Sequence, residues 1–395
     1  MYFEVIGIIL AFVTALAILY YYTRALFSPW TVTLGVWSFI LFLYVTVDHG
    51  LYEIKPQVLY ALLIWVPVLS LSSYISYRLT PENTQAKWLP CESNIDILIF
   101  LSLFVVPIGA YKAFHNAMLI GSTEELFYTL RQQAIDPDLY NIGPVRYFLY
   151  IVYPLFIIEA NRTKIRKIRL IFTFSLCFIF FLMTMAKITF FMIAVSSMYL
   201  LYKNKKISLT PIIFFFLTFL IFAVILQVIR SNDTEANGDT LMWFLGVYII
   251  SPLQAFCTEI AHSSLSWGES TFRGIYHIIH TFGLNIREVD TFDQFVWVPL
   301  PTNVYTVMSP YFRDFGYWGI FIFALIEGAL FGYIFKKSTT GNTILEYVYT
   351  LILVYLFLQF FDEQFMKNFI GNIYIILTLL FCHIKFNFSL KNSNS

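Results

Sequence analysis

The chain has 395 residues, of which 59% are hydrophobic, 20% aromatic and 12% charged, with a net charge of +1 and a mean hydropathy of +0.72. A soluble domain carries about a quarter charged residues, so most of this surface cannot face water. The near-neutral balance also supplies no basic field for a nucleic acid. Composition therefore excludes a soluble enzyme, a disordered chain and a nucleic-acid binder, and leaves a polytopic membrane protein.

A helix needs about 20 apolar residues to cross the hydrocarbon core. Apolar runs at 2–22, 31–47, 56–77, 95–113, 145–160, 169–185, 187–202, 208–229, 317–335, 343–361 and 369–386 predict about eleven spans. The first run carries Glu4, has no basic residue before it and lacks a small-residue cleavage site, so it reads as a retained span and not a signal peptide. The run 241–256 is apolar but short, and Pro252 interrupts it, so it reads as a re-entrant or interfacial helix. The chain is expected to be a single all-α membrane domain over 1–395. It divides into an N-terminal bundle of about eight spans over 1–229, a large loop over 230–315 and about three C-terminal spans over 316–395.

Charge orients these elements. Most of the 25 basic residues fall in one alternating set of short loops, with clusters at Arg162, Lys164, Arg166, Lys167 and Arg169 and at Lys203, Lys205 and Lys206. Such loops are cytoplasmic by the positive-inside rule, which places the N-terminus outside and the C-terminus inside. Most acids then lie outside, where 230–315 and 114–144 form the long loops. A loop of more than about 15 residues is functional or disordered. The larger one holds Trp243, Trp267 and Trp297 with several Tyr and Phe, and is expected to fold as an extracytoplasmic cap.

Cys91, Cys177, Cys257 and Cys382 form no CxxC pair, so neither a disulfide framework nor a zinc site is expected. Within the spans only Glu327 lies near a midpoint, and no internal repeat of the kind that builds transporters is present. Polar chemistry gathers instead at the outer face. Arg230 ends one long span, while Arg313 and Asp314 precede the next. Guanidinium groups suit phosphate because their planar fork donates two hydrogen bonds and keeps its charge. Glu269, Arg273, His277 and His280 are spaced by four, four and three residues, which would align them on one face of a helix. Histidine has the ordinary pKa suited to proton transfer near neutrality.

The segment Thr302–Gly319, TNVYTVMSPYFRDFGYWG, resembles the signature of the oligosaccharide repeat-unit polymerases, the Wzy-type enzymes that build O-antigens and capsules. Supporting pieces are Arg230, the Tyr248–Ser251–Pro252–Leu253 stretch and Gly268–Phe272 (GESTF). The resemblance covers about 230–335 and rests on topology alone over the N-terminal half. It implies a GT-C-like helical bundle in the bacterial inner membrane with its site on the periplasmic face. Donor and acceptor would be undecaprenyl-diphosphate-linked oligosaccharides, and a separate chain-length regulator is an expected partner. Arg230 and Arg313 would hold the diphosphate, with Arg273 and Lys187 as further cations. Asn303, Tyr305, Thr306, Tyr311 and Tyr248 would shape the sugar site. Where many members carry a small residue and an arginine between consecutive spans, this chain has Met185–Ala186–Lys187, and a lysine lacks the bidentate fork.

The implied reaction transfers the growing glycan to a new lipid-linked unit and releases polyprenyl diphosphate. Arginines can neutralise that leaving group by preorganised electrostatics, so no metal or other cofactor is expected. Asp314, His280, Glu259 and His277, in that order, are candidate proton acceptors. An O-antigen ligase and a lipid-linked oligosaccharide flippase are the competing readings. Arg230→Ala is expected to abolish chain extension at unchanged membrane level, and Arg230→Lys to be nearly as damaging. Polymer-length analysis beside immunoblotting of membranes checks both.

Overall fold

In lipid every backbone polar group must be satisfied within the protein, which leaves helices as the only spanning form for runs of this length. A computed structural model describes residues 2–82, 88–121, 125–135, 143–208, 241–262, 265–284, 289, 293–298 and 301–385, together with positions 210, 211, 214, 218, 221 and 225. The helices are α1 (Tyr2–Thr23), α2 (Pro29–Thr46), α3 (Pro56–Leu79), α4 (Glu92–Ile120), α5 (Leu126–Ile135), α6 (Leu149–Ala160), α7 (Lys167–Thr184), α8 (Lys187–Lys203), α9 (Leu241–His262), α10 (Arg273–Thr281), α11 (Ser309–Thr339), α12 (Thr343–Phe357) and α13 (Phe369–Phe381). A two-residue antiparallel pair, β1 (Val296–Trp297) with β2 (Pro301–Thr302), is the sheet structure among the described residues.

The protein is an all-α membrane protein. Among the described residues six helices are long and apolar enough to cross a bilayer: α1, α2, α3, α4, α7 and α11. The shorter apolar helices α12 and α13 end earlier than the runs 343–361 and 369–386 had suggested. The run 145–160 begins as a 3-10 turn over Gly143–Phe148 and becomes α-helical only at Leu149. Most of the expected span at 208–229 and all of 230–240, with Arg230, lie outside the described residues.

The run around Pro252 departs from expectation in a different way. It is one continuous helix of 22 residues with Pro252 inside. Contacts with the connection between α2 and α3 brace it: Gln254 donates to the Tyr52 carbonyl, and the Lys55 amide donates to the Cys257 thiol. Tertiary support of this kind offsets the hydrogen bond that a proline removes.

Polar contacts between the connections collect at two ends of the bundle. At one end Arg162 binds Glu92 and Glu159 at 2.8 and 2.7 Å, Lys203 meets Glu346 at 2.7 Å, and the Cys91 amide donates to the Cys382 carbonyl at 2.7 Å. These contacts join the cytoplasmic-type connections of the sequence reading. The opposite end gathers α9, α10, residues 293–298 and 301–308, and the connection 358–368.

Among the described residues α3 and α11 share the most extensive helix–helix contact. Gly328 and Gly332 make it possible, since a Cβ at either would strike Ser72 or the backbone of Ser73. Small residues four apart let helix backbones meet in lipid, where packing replaces hydrophobic drive. Ser76 adds a hydrogen bond to the Ala329 carbonyl at 2.6 Å.

A second buried junction lies at Gln359, 2% exposed. Its side-chain oxygen accepts the indole N–H of Trp37 and of Trp65, each at 3.0 Å, and its amide donates to Thr33 at 2.9 Å. Its backbone carbonyl accepts the Val307 amide at 2.9 Å. Gln359→Leu fills similar space but orphans both indoles, at a cost of about 1–3 kcal/mol for each buried donor. Thermal unfolding of the detergent-solubilised variant is expected to show a lowered midpoint.

Candidate functional site

The described charges at the α9–α10 end converge on Asp293, whose side chain is 6% exposed. Its Oδ1 accepts from Arg273 and from Arg313, each at 2.8 Å, and its Oδ2 accepts from Lys367, also at 2.8 Å. Lys367 bonds Asp362 at 2.7 Å as well. Arg313 extends the chain of pairs to Glu259, whose other oxygen accepts from Ser309 at 2.5 Å. Three cations and three carboxylates from five separate segments thus form one network.

Electrostatics keep the network ionised at its centre. Burial alone would raise the Asp293 carboxyl, but Lys367, Arg273 and Arg313 outweigh it and hold Asp293 far below the usual carboxylate range. Burial works against the Lys367 ammonium, and Asp362 and Asp293 more than restore it, leaving its pKa raised. Glu259 differs. Burial raises its carboxyl even though Arg313 and Ser309 favour the ionised form, and burial raises the Asp362 carboxyl as well, against the pull of Lys367.

Local structure places each cation. Lys367 sits in a turn capped by Glu363, fully buried, which accepts the backbone N–H groups of Phe365, Met366 and Lys367 at 2.6, 2.8 and 2.7 Å. Arg313 lies over the Tyr305 ring at 5.6 Å, and the Tyr305 hydroxyl donates to the Gln294 carbonyl at 3.0 Å. Arg313 occupies the short first part of α11, which Gly316 separates from the long part by adopting φ 64° and ψ −152°. That backbone region is essentially open to glycine alone.

Asp314 joins two of the sequence motifs. Its Oδ1 accepts from the Ser266 hydroxyl at 2.5 Å and from the Ser270 amide at 3.1 Å, and its Oδ2 from the Thr271 amide at 2.6 Å. The GESTF turn, with Gly268 at φ 84°, is therefore fastened to the Arg313–Asp314 turn. All of these donors are structural, and Asp314 is 3% exposed.

The remaining expected residues divide between network, core and surface. Lys187 stands over the Tyr248 ring at 4.0 Å, and Tyr248 packs on Phe361 with centroids 5.9 Å apart, which brings both beside the 358–368 connection. Thr306 is fully buried and its hydroxyl has no hydrogen-bond partner among the described residues. Asn303 is half-buried. Tyr311 lies in the core, stacked between Trp65 at 5.6 Å and Phe323 at 4.4 Å, with its hydroxyl donating to Glu327. It thus lines the bundle interior.

Of the expected stripe, Arg273, His277 and His280 lie in α10 at the expected spacing, but the helix begins only at Arg273 and Glu269 belongs to the preceding turn. Arg273 faces Asp293, whereas His277 and His280 are exposed. Sequence reasoning passed over Asp293, Asp362, Glu363 and Lys367. Three of these fall within FDEQFMKN, a charged stretch between two apolar runs in a chain with only 12% charged residues. That density was the available signal.

Comparison with known proteins adds one partial likeness. The chain is 27% identical over 150 residues to a protein of Escherichia coli strain K12 described as "Putative O-antigen polymerase", a match covering 35% of this chain and 36% of that protein. The chain thus spans little more than a third of the length of the curated relative it matches. No family model matches the chain, and no solved structure does.

Asp293→Asn leaves three clustered cations without their shared counter-ion, and breaking a buried pair costs about 3–5 kcal/mol. Because the folded pKa lies below the ordinary value near 3.9, this contribution is fully present above about pH 4 and declines as pH falls further. Thermal unfolding is therefore expected to show a large deficit for Asp293→Asn at pH 7 that narrows below about pH 4.

Proposed function

We propose that the protein polymerises undecaprenyl-diphosphate-linked oligosaccharide repeat units into O-antigen or capsular polysaccharide. The reading places eleven spans, one of them over 208–229, in a GT-C-like bundle of the bacterial inner membrane, with the Asp293 network on the periplasmic face. The observation that carries it is the meeting of Arg273, Arg313 and Lys367 around one carboxylate, beside the two fastened motif segments. The likeness to the E. coli protein supports the same class of reaction.

In this mechanism the cations serve the leaving group. Arg313, whose side chain is the most exposed of the three at 28%, and Lys367 hold the donor diphosphate together with Arg230. Asp293 and Glu363 keep them oriented, so little reorganisation is needed as charge develops on the departing phosphate oxygen. The acceptor hydroxyl attacks the anomeric carbon, a new C–O bond forms, and the bond to the diphosphate breaks. We assign the hydroxyl proton to Glu259, whose raised affinity for a proton suits a general base. Asp314 keeps a positioning role. A single displacement inverts the anomeric centre. Trp267 and Trp297, 88% and 69% exposed, offer aromatic faces to the glycan. A separate chain-length regulator sets polymer length.

Lipopolysaccharide from the source strain lacking this chain tests the reading on a gel. Lipid A core bearing one repeat unit, with the ladder gone, is expected. Naked core with accumulating lipid-linked polymer would make the protein a ligase, and an unchanged ladder would point to transport. Complementation with Lys367→Ala or Arg313→Ala is expected to leave the ladder absent at normal membrane level, since losing one donor to a developing charge costs roughly 10²–10³ in rate.

A further inference from the structure

The end of the bundle opposite the Asp293 network carries more positive charge than its own carboxylates consume. Arg162 is held by Glu92 and Glu159, Arg166 by Glu92, and Arg169 by Glu92 and Asp96, while Lys203 pairs with Glu346. Lys164, Lys167, Lys205 and Lys206 are exposed. None of them pairs with a carboxylate among the described residues, and Lys206 reaches only the Arg162 carbonyl at 3.4 Å.

The same end holds a cleft of about 280 Å³ between α6, α7 and α8, walled by Phe156, Ile165, Leu170, Phe174 and Leu201, with Ser197 at its side. Its wall is interleaved with the unpaired lysines. Ile165 follows Lys164 directly, Leu170 lies one turn beyond Lys167, and Leu201 lies one turn before Lys205. A flexible hydrocarbon chain fits the space and the lining.

We propose that this cleft binds an anionic phospholipid, with an acyl chain between α6, α7 and α8 and the phosphate held by Lys164, Lys167, Lys205 and Lys206. Basic pockets at the ends of membrane helices attract anionic headgroups, and the apolar wall turns that diffuse attraction into a site. The site is independent of the sugar chemistry assigned to the other end.

Native mass spectrometry of the full chain in detergent tests this, with phosphatidylglycerol or phosphatidylcholine of equal chain length added at equal concentration. About tenfold greater retention of phosphatidylglycerol is expected. Replacing the four lysines together by alanine is expected to reduce it to the phosphatidylcholine level, and Ser197→Phe, which fills the cleft, to reduce both lipids. Equal retention of the two lipids by the unmodified chain would overturn the proposal, and this comparison needs no variant to fold. A preference that survives in the four-lysine variant would overturn it too. So would displacement of the adduct by soluble glycerol 3-phosphate alone, which would mark a site for a free phosphate anion, or retention of both lipids untouched by Ser197→Phe, which would mark surface charge without a cleft.

Discussion

The carboxamide of Gln359 is the junction on which the site-bearing end of the molecule depends. It satisfies Trp37, Trp65 and Thr33, while its backbone carbonyl takes the amide of Val307. In a low-dielectric interior an unmade hydrogen bond is costly, so such a network tolerates only one arrangement. That arrangement fixes where α12 ends, where 358–368 begins, and where the chain enters α11. Lys367, in that connection, and Arg313, in the first part of α11, are thereby held in one neighbourhood, sharing Asp293.

Asp293 then performs at the surface what Gln359 performs inside. One carboxylate shared by Arg273, Arg313 and Lys367 prevents three like charges from repelling one another before any ligand arrives. It also leaves them oriented toward a single place. The Gly316 turn and the Asp314 contacts complete the arrangement by fastening the GESTF turn to the start of α11. A glycine and an aspartate in one short motif thus have separate physical reasons: backbone conformation for the first, three converging donors for the second.

The two ends of the bundle solve different electrostatic problems. At the Asp293 end cations and carboxylates are matched and mostly buried. At the other end Glu92 alone receives three arginines, and four lysines are left facing outward. That surplus is consistent with an end that meets anionic headgroups, and it is the same surplus from which the positive-inside rule predicts an orientation.

Hydropathy alone determined that the chain crosses a membrane and where most helices lie, because span length and apolar content are local and additive properties. The motif at 302–319 located Arg313, Asp314 and Tyr305, and Glu259 was legible as a carboxylate on an apolar helix. The partners of these residues were not. Asp293 and Lys367 are 74 positions apart, and no period or spacing relates them. Helical spacing placed Arg273 with two histidines on one helix, but the helix start at Arg273 left Glu269 behind, and only packing decided that the histidines are exposed. Tyr311, read as a sugar contact, became a core residue once α3 and the long part of α11 closed around it. Which charges pair, and which aromatic ring is buried, depends on packing between distant segments. Tertiary structure alone decides that, because ion pairing and burial are relations between positions and not properties of either one.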